Sequence, residues 1–364
     1  MRIGIDIHTL GERQTGNETY MRQLVEHLTA LPEPSVDYLL YHTRQSPAPE
    51  WAARAHRVWP HTPAVRIPVS FPIVLRRDRV HAAHFQYVTP PWCPCPTVVS
   101  VHDISYESHP EFFPARTRAR MRALVPRAVR SAAAVLTISE FSRRDIAERY
   151  RIDPARIVVT PLAAAPVFRP LPAAETESRL DRLGITGPYV LAVGNVQPRK
   201  NLVRLLEAFA LARQRMDLPH RLVLVGRRAY RGDAILARQD ALGLSAHVVT
   251  TGFVGDDDLV ALYNGADVFA YPSLYEGFGL PILEAMECGA PVITSATTAL
   301  PEVAGDAAEL VDPCSVDDIA AALGRLLTSP GWRETLRARG MLRASEFSWR
   351  RVAEETLAVY KQAA

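Results

Sequence analysis

The sequence predicts an α/β protein built from two parallel sheets, each with helices on both faces. Three observations predict it. Short apolar runs alternate with longer segments of helical periodicity along most of the chain, the pattern of parallel strands joined by crossover helices. The alternation breaks at Pro166, Pro170 and Pro172 and then restarts, so two such domains meet near residue 170. The length, 364 residues, has room for two domains at roughly 100–200 residues each.

In the first series, Arg2–Ile7 reads as a buried strand and Glu18–Leu31 as the helix after it. Asp37–Tyr41, Thr97–Val101, Ala134–Ser139 and Ile157–Pro161 are further strands, with Glu111–Arg130 and Glu140–Tyr150 helical. Pro126 is expected to kink or split the first of these helices, because proline removes a donor and crowds the preceding turn. After the proline break comes the polar stretch Ala173–Ser178. The second series then runs Tyr189–Gly194 strand, Leu202–Arg213 helix, Arg221–Gly226 strand, Asp233–Leu242 helix and Val248–Gly252 strand. Asp257–Tyr263, Val268–Pro272, Pro281–Glu287, Pro291–Ser295 and Val316–Leu327 continue it. A last helix, Trp349–Lys361, follows without an intervening strand, so it is expected to pack away from its own sheet. In open α/β sheets ligands bind beyond the carboxyl ends of the strands, which points to a cleft between two Rossmann-like domains.

Composition excludes several classes. The longest uncharged apolar runs, such as Val69–Leu75 and Ala132–Ile138, fall short of the ~18–20 residues a bilayer span needs. Asp6 stands where a signal peptide needs its apolar core, so the cytoplasm is the expected location. Four cysteines make no disulfide framework in a chain of this length. Residues 1–168 carry a net charge of +6 and the remainder −3, with the excess concentrated at Arg116, Arg118, Arg120, Arg122, Arg127 and Arg130 and a second group at Arg76, Arg77 and Arg79. Such a patch can attract an anionic membrane surface or nucleic acid, and the plain alternative is a solvated, arginine-rich helix face. No aromatic residues interleave it, which argues against a base-stacking nucleic-acid platform.

The segment Pro272–Glu284 carries the chemistry. A strand ends at Pro272, a glycine loop follows, and Pro281 suits the first turn of a helix that Gly289 stops. The backbone N–H groups of Phe278, Gly279 and Leu280 would then be free at a helix N-terminus, an anion site. Glu276 in the loop and Glu284 in the helix reach two parts of one ligand. A second anion feature is Gly194–Asn201, where Arg199 and Lys200 stand just before a helix; Lys200 is one of only two lysines. His102 ends a strand in Ser100-Val101-His102-Asp103, and the loop Gly11–Gly16 allows close backbone approach. No G-x-G-x-x-G follows the first strand, and no G-x-S-x-G elbow is present. Cys93-Pro94-Cys95 with His81 and His84 fits zinc-knuckle spacing poorly. Asp256-Asp257-Asp258 reads as a helix cap rather than a metal site.

Glu276 and Glu284 with the loop between them resemble the E-x7-E signature of the retaining GT-B-fold enzymes of glycosyltransferase family 4. The likeness extends through Thr15–Tyr20, Val101-His102-Asp103, Thr137–Ser142, Gly194–Leu202, Thr251–Val254, Leu300–Asp306 and the tail from Phe347 to Tyr360. The resemblance implies an N-terminal acceptor-binding domain over 1–168, a nucleotide-sugar-binding domain over 169–346, and a C-terminal helix (347–364) crossing back to the first domain. It places Glu276 on the donor sugar, Glu284 on the ribose, the amides of Phe278, Gly279 and Leu280 and the side chain of Lys200 on the diphosphate, and His102 on the transferred sugar. Gly16 would face the diphosphate, and the backbone at Phe253 and Val254 the base. Where the family often has arginine this chain has Asn195, and Arg199 is expected to supply that charge.

The implied activity is a retaining hexosyl transfer, with mannose from GDP-mannose favoured by the overall likeness to mannosyltransferase-type members. A glycan or polyprenyl-linked hydroxyl is the implied acceptor. The nucleotide-sugar is a substrate, and neither a metal nor another cofactor is expected. A UDP-sugar donor, a non-hydrolysing nucleotide-sugar epimerase and a silent sugar-nucleotide binder are the competing readings.

Overall fold

Strands that are apolar on both sides need cover on both faces, and helices supply it here. The computed structural model describes residues 1–11, 15–43 and 55–364. It divides into two compact units: Met1–Ser108, Ala115–Leu162 and Ser348–Ala364 form the first, and His109–Pro114 with Ala163–Phe347 the second.

The first unit opens with β1 (Arg2–Asp6), α1 (Thr15–Ala30), β2 (Asp37–His42) and β3 (Ala55–Arg57). A continuous helical run follows: α2 (Pro63–Val65), a π turn (Arg66–Ser70) and α3 (Phe71–Arg77). Then come β4 (Ala82–Gln86), β5 (Thr97–Ser100), α4 (Ser105–Ser108), α5 (Ala115–Ser131), β6 (Ala134–Thr137), α6 (Glu140–Tyr150) and β7 (Ile157–Val159). Its sheet has the order β3-β2-β1-β4-β5-β6-β7, with every pairing parallel. Strand β4, at the centre, is missing from the sequence reading because Ala-Ala-His-Phe-Gln lacks a branched apolar run; all five residues are nonetheless buried.

Helix α5 corrects the reading twice. It begins at Ala115 rather than at 111, because Pro110–Phe112 forms a separate 3-10 turn, and Pro126 does not split it. The residues of the turn before Pro126, Arg122 to Leu124, are exposed, so solvent can take the carbonyl that proline leaves without a donor. Helix α6 is capped by Ser139, whose hydroxyl accepts from the Ser142 N–H at 3.0 Å.

The second unit contains α7 (Ala173–Arg182), β8 (Tyr189–Val193), α8 (Leu202–Arg215), β9 (Arg221–Val225), α9 (Gly232–Ala241), β10 (Val248–Gly252), α10 (Asp256–Asn264) and β11 (Val268–Tyr271). It continues with α11 (Leu280–Glu287), β12 (Val292–Ser295), α12 (Leu300–Ala304), β13 (Ala308–Val311), α13 (Val316–Thr328) and α14 (Pro330–Ala344). The stretch read as a polar linker is helical from Ala173 onward, supported by the i,i+4 pair Glu175–Arg179. The sheet order is β10-β9-β8-β11-β12-β13, again all parallel. Phe209, Leu222 and Leu323 are among the fully buried residues of its core.

The last helix, α15 (Trp349–Ala363), belongs to the first unit. It buries Trp349, Val352, Ala353, Thr356, Leu357, Val359 and Tyr360, a stripe at helical spacing, and packs on α1. The Tyr360 hydroxyl lies 2.6 Å from His84 Nδ1, and His84 Nε2 lies 2.6 Å from Ser100 Oγ. Both ring nitrogens of His84 are therefore engaged in this polar chain rather than offered to a metal.

Candidate active site

The order in which strands are added to the second unit's sheet reverses between β8 and β11, and such a switch point opens a crevice at the carboxyl ends of the two strands. Both anion features of the sequence follow those strands. After β8 the chain turns through Gly194 (φ 139°) and a 3-10 turn, Pro198–Lys200, into α8. After β11 it runs through Glu276 into α11.

Gly194 is required at its place. A side chain there would sit in an unfavourable backbone conformation, and its first carbon would come 2.9 Å from Lys200 Cε. The lysine stem therefore runs over bare backbone. Asn201, in a left-handed conformation (φ 58°), ties the two loops together: its amide donates to the carbonyls of Pro272 (2.9 Å) and Pro313 (2.6 Å). The Leu274 N–H donates to the Arg199 carbonyl at 2.9 Å.

These ties bring Glu276, Arg199 and Lys200 into one cluster. Lys200 Nζ lies 2.6 Å from Glu276 Oε1, and Arg199 pairs with Oε2. Arg199 also donates to the Tyr275 carbonyl at 2.9 Å. The Tyr271 hydroxyl donates to Glu276 Oε1 at 2.9 Å, and Lys200 contacts the same hydroxyl. Burial pushes the Glu276 carboxyl up, but the charges of Arg199 and Lys200 outweigh it and hold its pKa at about 2. With two cations and one carboxylate, the cluster carries a net positive charge.

Helix α11 begins where expected. Gly279 (φ 114°) precedes it and Pro281 occupies its first turn. Among the described residues the N–H groups of Phe278, Gly279 and Leu280 have no acceptor, so the positive end of the helix is open to an anion. One turn in, Glu284 is buried and accepts from the Tyr263 hydroxyl at 3.0 Å. Burial raises its pKa to about 7, against the opposing effects of the Tyr263 hydrogen bond and the Lys200 charge. The two glutamates of one loop and helix thus have opposite ionisation behaviour.

Asn195 follows Gly194 at the end of β8. Phe253 and Val254 follow β10; Phe253 is 55% exposed, with the Arg227 guanidinium 4.5 Å from its ring centroid. Gly16 and His102 belong to the first unit. Gly16 lies exposed in the first turn of α1, with open space where a side chain would be. His102 is buried, packed edge-on against Tyr20 with ring centroids 4.4 Å apart, and neither ring nitrogen has a partner among the described residues. Burial lowers its pKa to about 4, so the ring is neutral at pH 7. A buried imidazole left unpaired points to a ligand that completes it.

Sequence reasoning missed Tyr271, Tyr263 and Asn201. The first two orient the glutamates from neighbouring elements, and nothing in local spacing marks them. Asn201 directly follows Lys200, and asparagine tolerates the left-handed conformation that this junction adopts.

Comparison with known proteins accords with this geometry. Residues 177–343 match the family described as glycosyl transferases group 1, and residues 15–164 match glycosyltransferase family 4. The chain is 38% identical over 265 residues to the O-antigen chain mannosyltransferase B of Escherichia coli, covering 72% of this chain and 70% of that one. The chain belongs to glycosyltransferase family 4.

This glycosyltransferase is also 37% identical over 243 residues to an MMP alpha-(1->4)-mannosyltransferase of Mycolicibacterium hassiacum, covering 65% of this chain and 56% of that enzyme. It matches only 28% of the length of an Escherichia coli protein named serotype-specific mannosyltransferase WbdA. Among solved structures, a sucrose-phosphate synthase from Thermosynechococcus elongatus aligns at a TM-score of 0.79 and 22% identity over 100% of this chain and 98% of that one. WaaG, a glycosyltransferase involved in lipopolysaccharide biosynthesis, aligns at 0.75 and 19% identity over 99% of each chain. The family-4 glycosyltransferase therefore has two Rossmann-like units of the GT-B fold.

Proposed function

We propose that this glycosyltransferase moves mannose from GDP-mannose to a hydroxyl of a glycan or lipid-linked acceptor, retaining the anomeric configuration and using no divalent metal. The Arg199–Lys200–Glu276 cluster beside the open end of α11 carries the reading. A departing nucleoside diphosphate develops negative charge, and two cations with three unpaired backbone donors can stabilise it without a metal. Glu276 holds the cations in place until phosphate oxygens compete for them, and its carboxylate then meets the sugar hydroxyls. Glu284 accepts from the ribose hydroxyls, Asn195 and Gly16 lie against the diphosphate, and the backbone at Phe253 and Val254 meets the base. His102 contacts the transferred sugar as a neutral ring. The departing phosphate takes the acceptor proton as the acceptor oxygen attacks from the same face.

Mannose rests on the names of the relatives at 38% and 37% identity, and the guanine follows from that reading. The basic face Arg116–Arg130 is proposed to hold the enzyme near an anionic membrane surface.

Thermal stabilisation by GDP, UDP, ADP and NAD at equal concentration, with chelator present, tests this. A ligand that binds only the folded state raises the midpoint by mass action. GDP should give the largest shift, and Lys200→Ala should abolish it. A larger shift with UDP would replace the donor, and a shift with NAD alone would end the reading.

A further inference from the structure

The helical run through α2, the π turn and α3 shows two unlike faces. Phe71 and Leu75 point into the core of the first unit. Val65, Val69 and Ile73, each four residues from the last, are 41%, 49% and 62% exposed. Trp59 is 72% exposed, and its carbonyl accepts from the Ser70 hydroxyl at 2.8 Å, which fixes it beside this helix. Scattered single apolar side chains on a surface need no explanation, but an aligned stripe does, and the exposed Trp59 belongs to the same surface segment. The stripe ends in charge: Arg76 and Arg77 occupy the last turn of α3, and both are exposed. Arg57 and Arg79, at the two ends of the segment, are exposed as well. Arg77 pairs with Asp78, the one acid among residues 55–79.

We infer that this stripe is a membrane-docking surface that lies in the interface of an anionic bilayer. The aliphatic side chains and Trp59 enter the headgroup boundary, and the arginines face lipid phosphates. An amphipathic helix with arginines at its edge binds this way through buried apolar area plus attraction to anionic lipid. Charge complementarity selects a bilayer over a second copy of the chain, whose own stripe would set arginine against arginine. Among the described residues no helix is long and apolar enough to cross a membrane, so attachment here is to the surface. The basic face of α5 differs: Leu124 is its one large exposed apolar residue, so it offers charge with little to insert. The inference does not depend on the donor or on the reaction.

Cosedimentation of the full chain with vesicles tests it, using phosphatidylcholine alone and phosphatidylcholine in which about a third of the lipid is phosphatidylglycerol. The wild-type chain should bind the anionic vesicles, and bind them less as salt rises. Val69→Ser with Ile73→Ser, and separately Trp59→Ala, should each weaken binding by about tenfold or more. Both should leave the melting midpoint and the nucleotide-induced shift unchanged, since these side chains are exposed and outside the nucleotide site. Arg116→Glu with Arg120→Glu should weaken binding less than the stripe variants do. Wild-type binding by Val69→Ser/Ile73→Ser would overturn the inference. So would a wild-type chain that binds neither vesicle, or one that forms a dimer broken by these variants without binding lipid.

Discussion

Glu276 and Glu284 show how strongly a fold can separate two identical side chains. Glu276 is ionised because Arg199 and Lys200 face it, whereas Glu284 is buried beside a tyrosine hydroxyl and titrates near neutrality. Replacing Glu276 with Gln leaves two half-buried cations without their counter-charge, at a cost of about 1–3 kcal/mol. The ligand-free melting midpoint should therefore fall. GDP should shift that midpoint more than in the wild type, because no carboxylate competes with phosphate for the cations, while sugar transfer should drop by about a hundredfold or more. A GDP shift no larger than the wild-type one would mean that Glu276 does not hold the phosphate site. Glu284 predicts a pH dependence. A ribose that donates to its carboxylate favours the ionised form, so binding releases a proton below about pH 7. GDP affinity measured by calorimetry should rise from pH 5.5 to 7.5. In Glu284→Gln it should be weaker, and its remaining pH dependence should be that of the phosphates alone.

At the scale of elements, the loop into α11 depends on Gly279. Its φ of 114° is strained for any other residue, and an added side-chain carbon would come 2.7 Å from Leu300 Cδ2. Gly279→Ala should cost roughly 1–3 kcal/mol and should also weaken GDP binding, because the backbone donors must shift to relieve the contact. Unchanged GDP affinity in a folded Gly279→Ala protein would show that those N–H groups do not hold phosphate. This loop was legible in the sequence because glycine, proline and two glutamates mark it within one short segment. The same locality made most strands legible. Strand β4 was not, since two alanines, a histidine and a glutamine become a central strand only when helices and neighbouring strands bury them. Helix α14 and strand β13 were missed for the same reason: in β13 two half-buried residues precede an exposed and a buried one, with no clean alternation, and its pairing with β12 defines it.

The whole molecule should answer acid in opposite ways in its two units. In the first, burial lowers His84 to about 3 and His102 to about 4. The unfolded chain takes up protons at these rings near pH 6.5, before the folded chain does. Their contribution to stability is thus complete above pH 6.5 and is lost as pH falls toward 4 and below, by roughly 2 kcal/mol per ring at pH 5. In the second unit Glu284, raised to about 7, keeps a proton that the unfolded chain gives up, and Glu287 is shifted in the same direction. That unit gains stability as pH falls from 7 toward 4.5, by roughly 2 kcal/mol at pH 5. The depressed carboxyls, such as Asp6 and Glu276, act only below this range. Hydrogen exchange resolved by mass spectrometry reads each unit separately. After correction for intrinsic rates, peptides from α1 and α15 should lose protection between pH 7.5 and 5, while peptides from α8 and α13 should gain it. Glu284→Gln should remove most of the gain and leave the loss in the first unit untouched. Parallel changes in both units would contradict the burial of these groups.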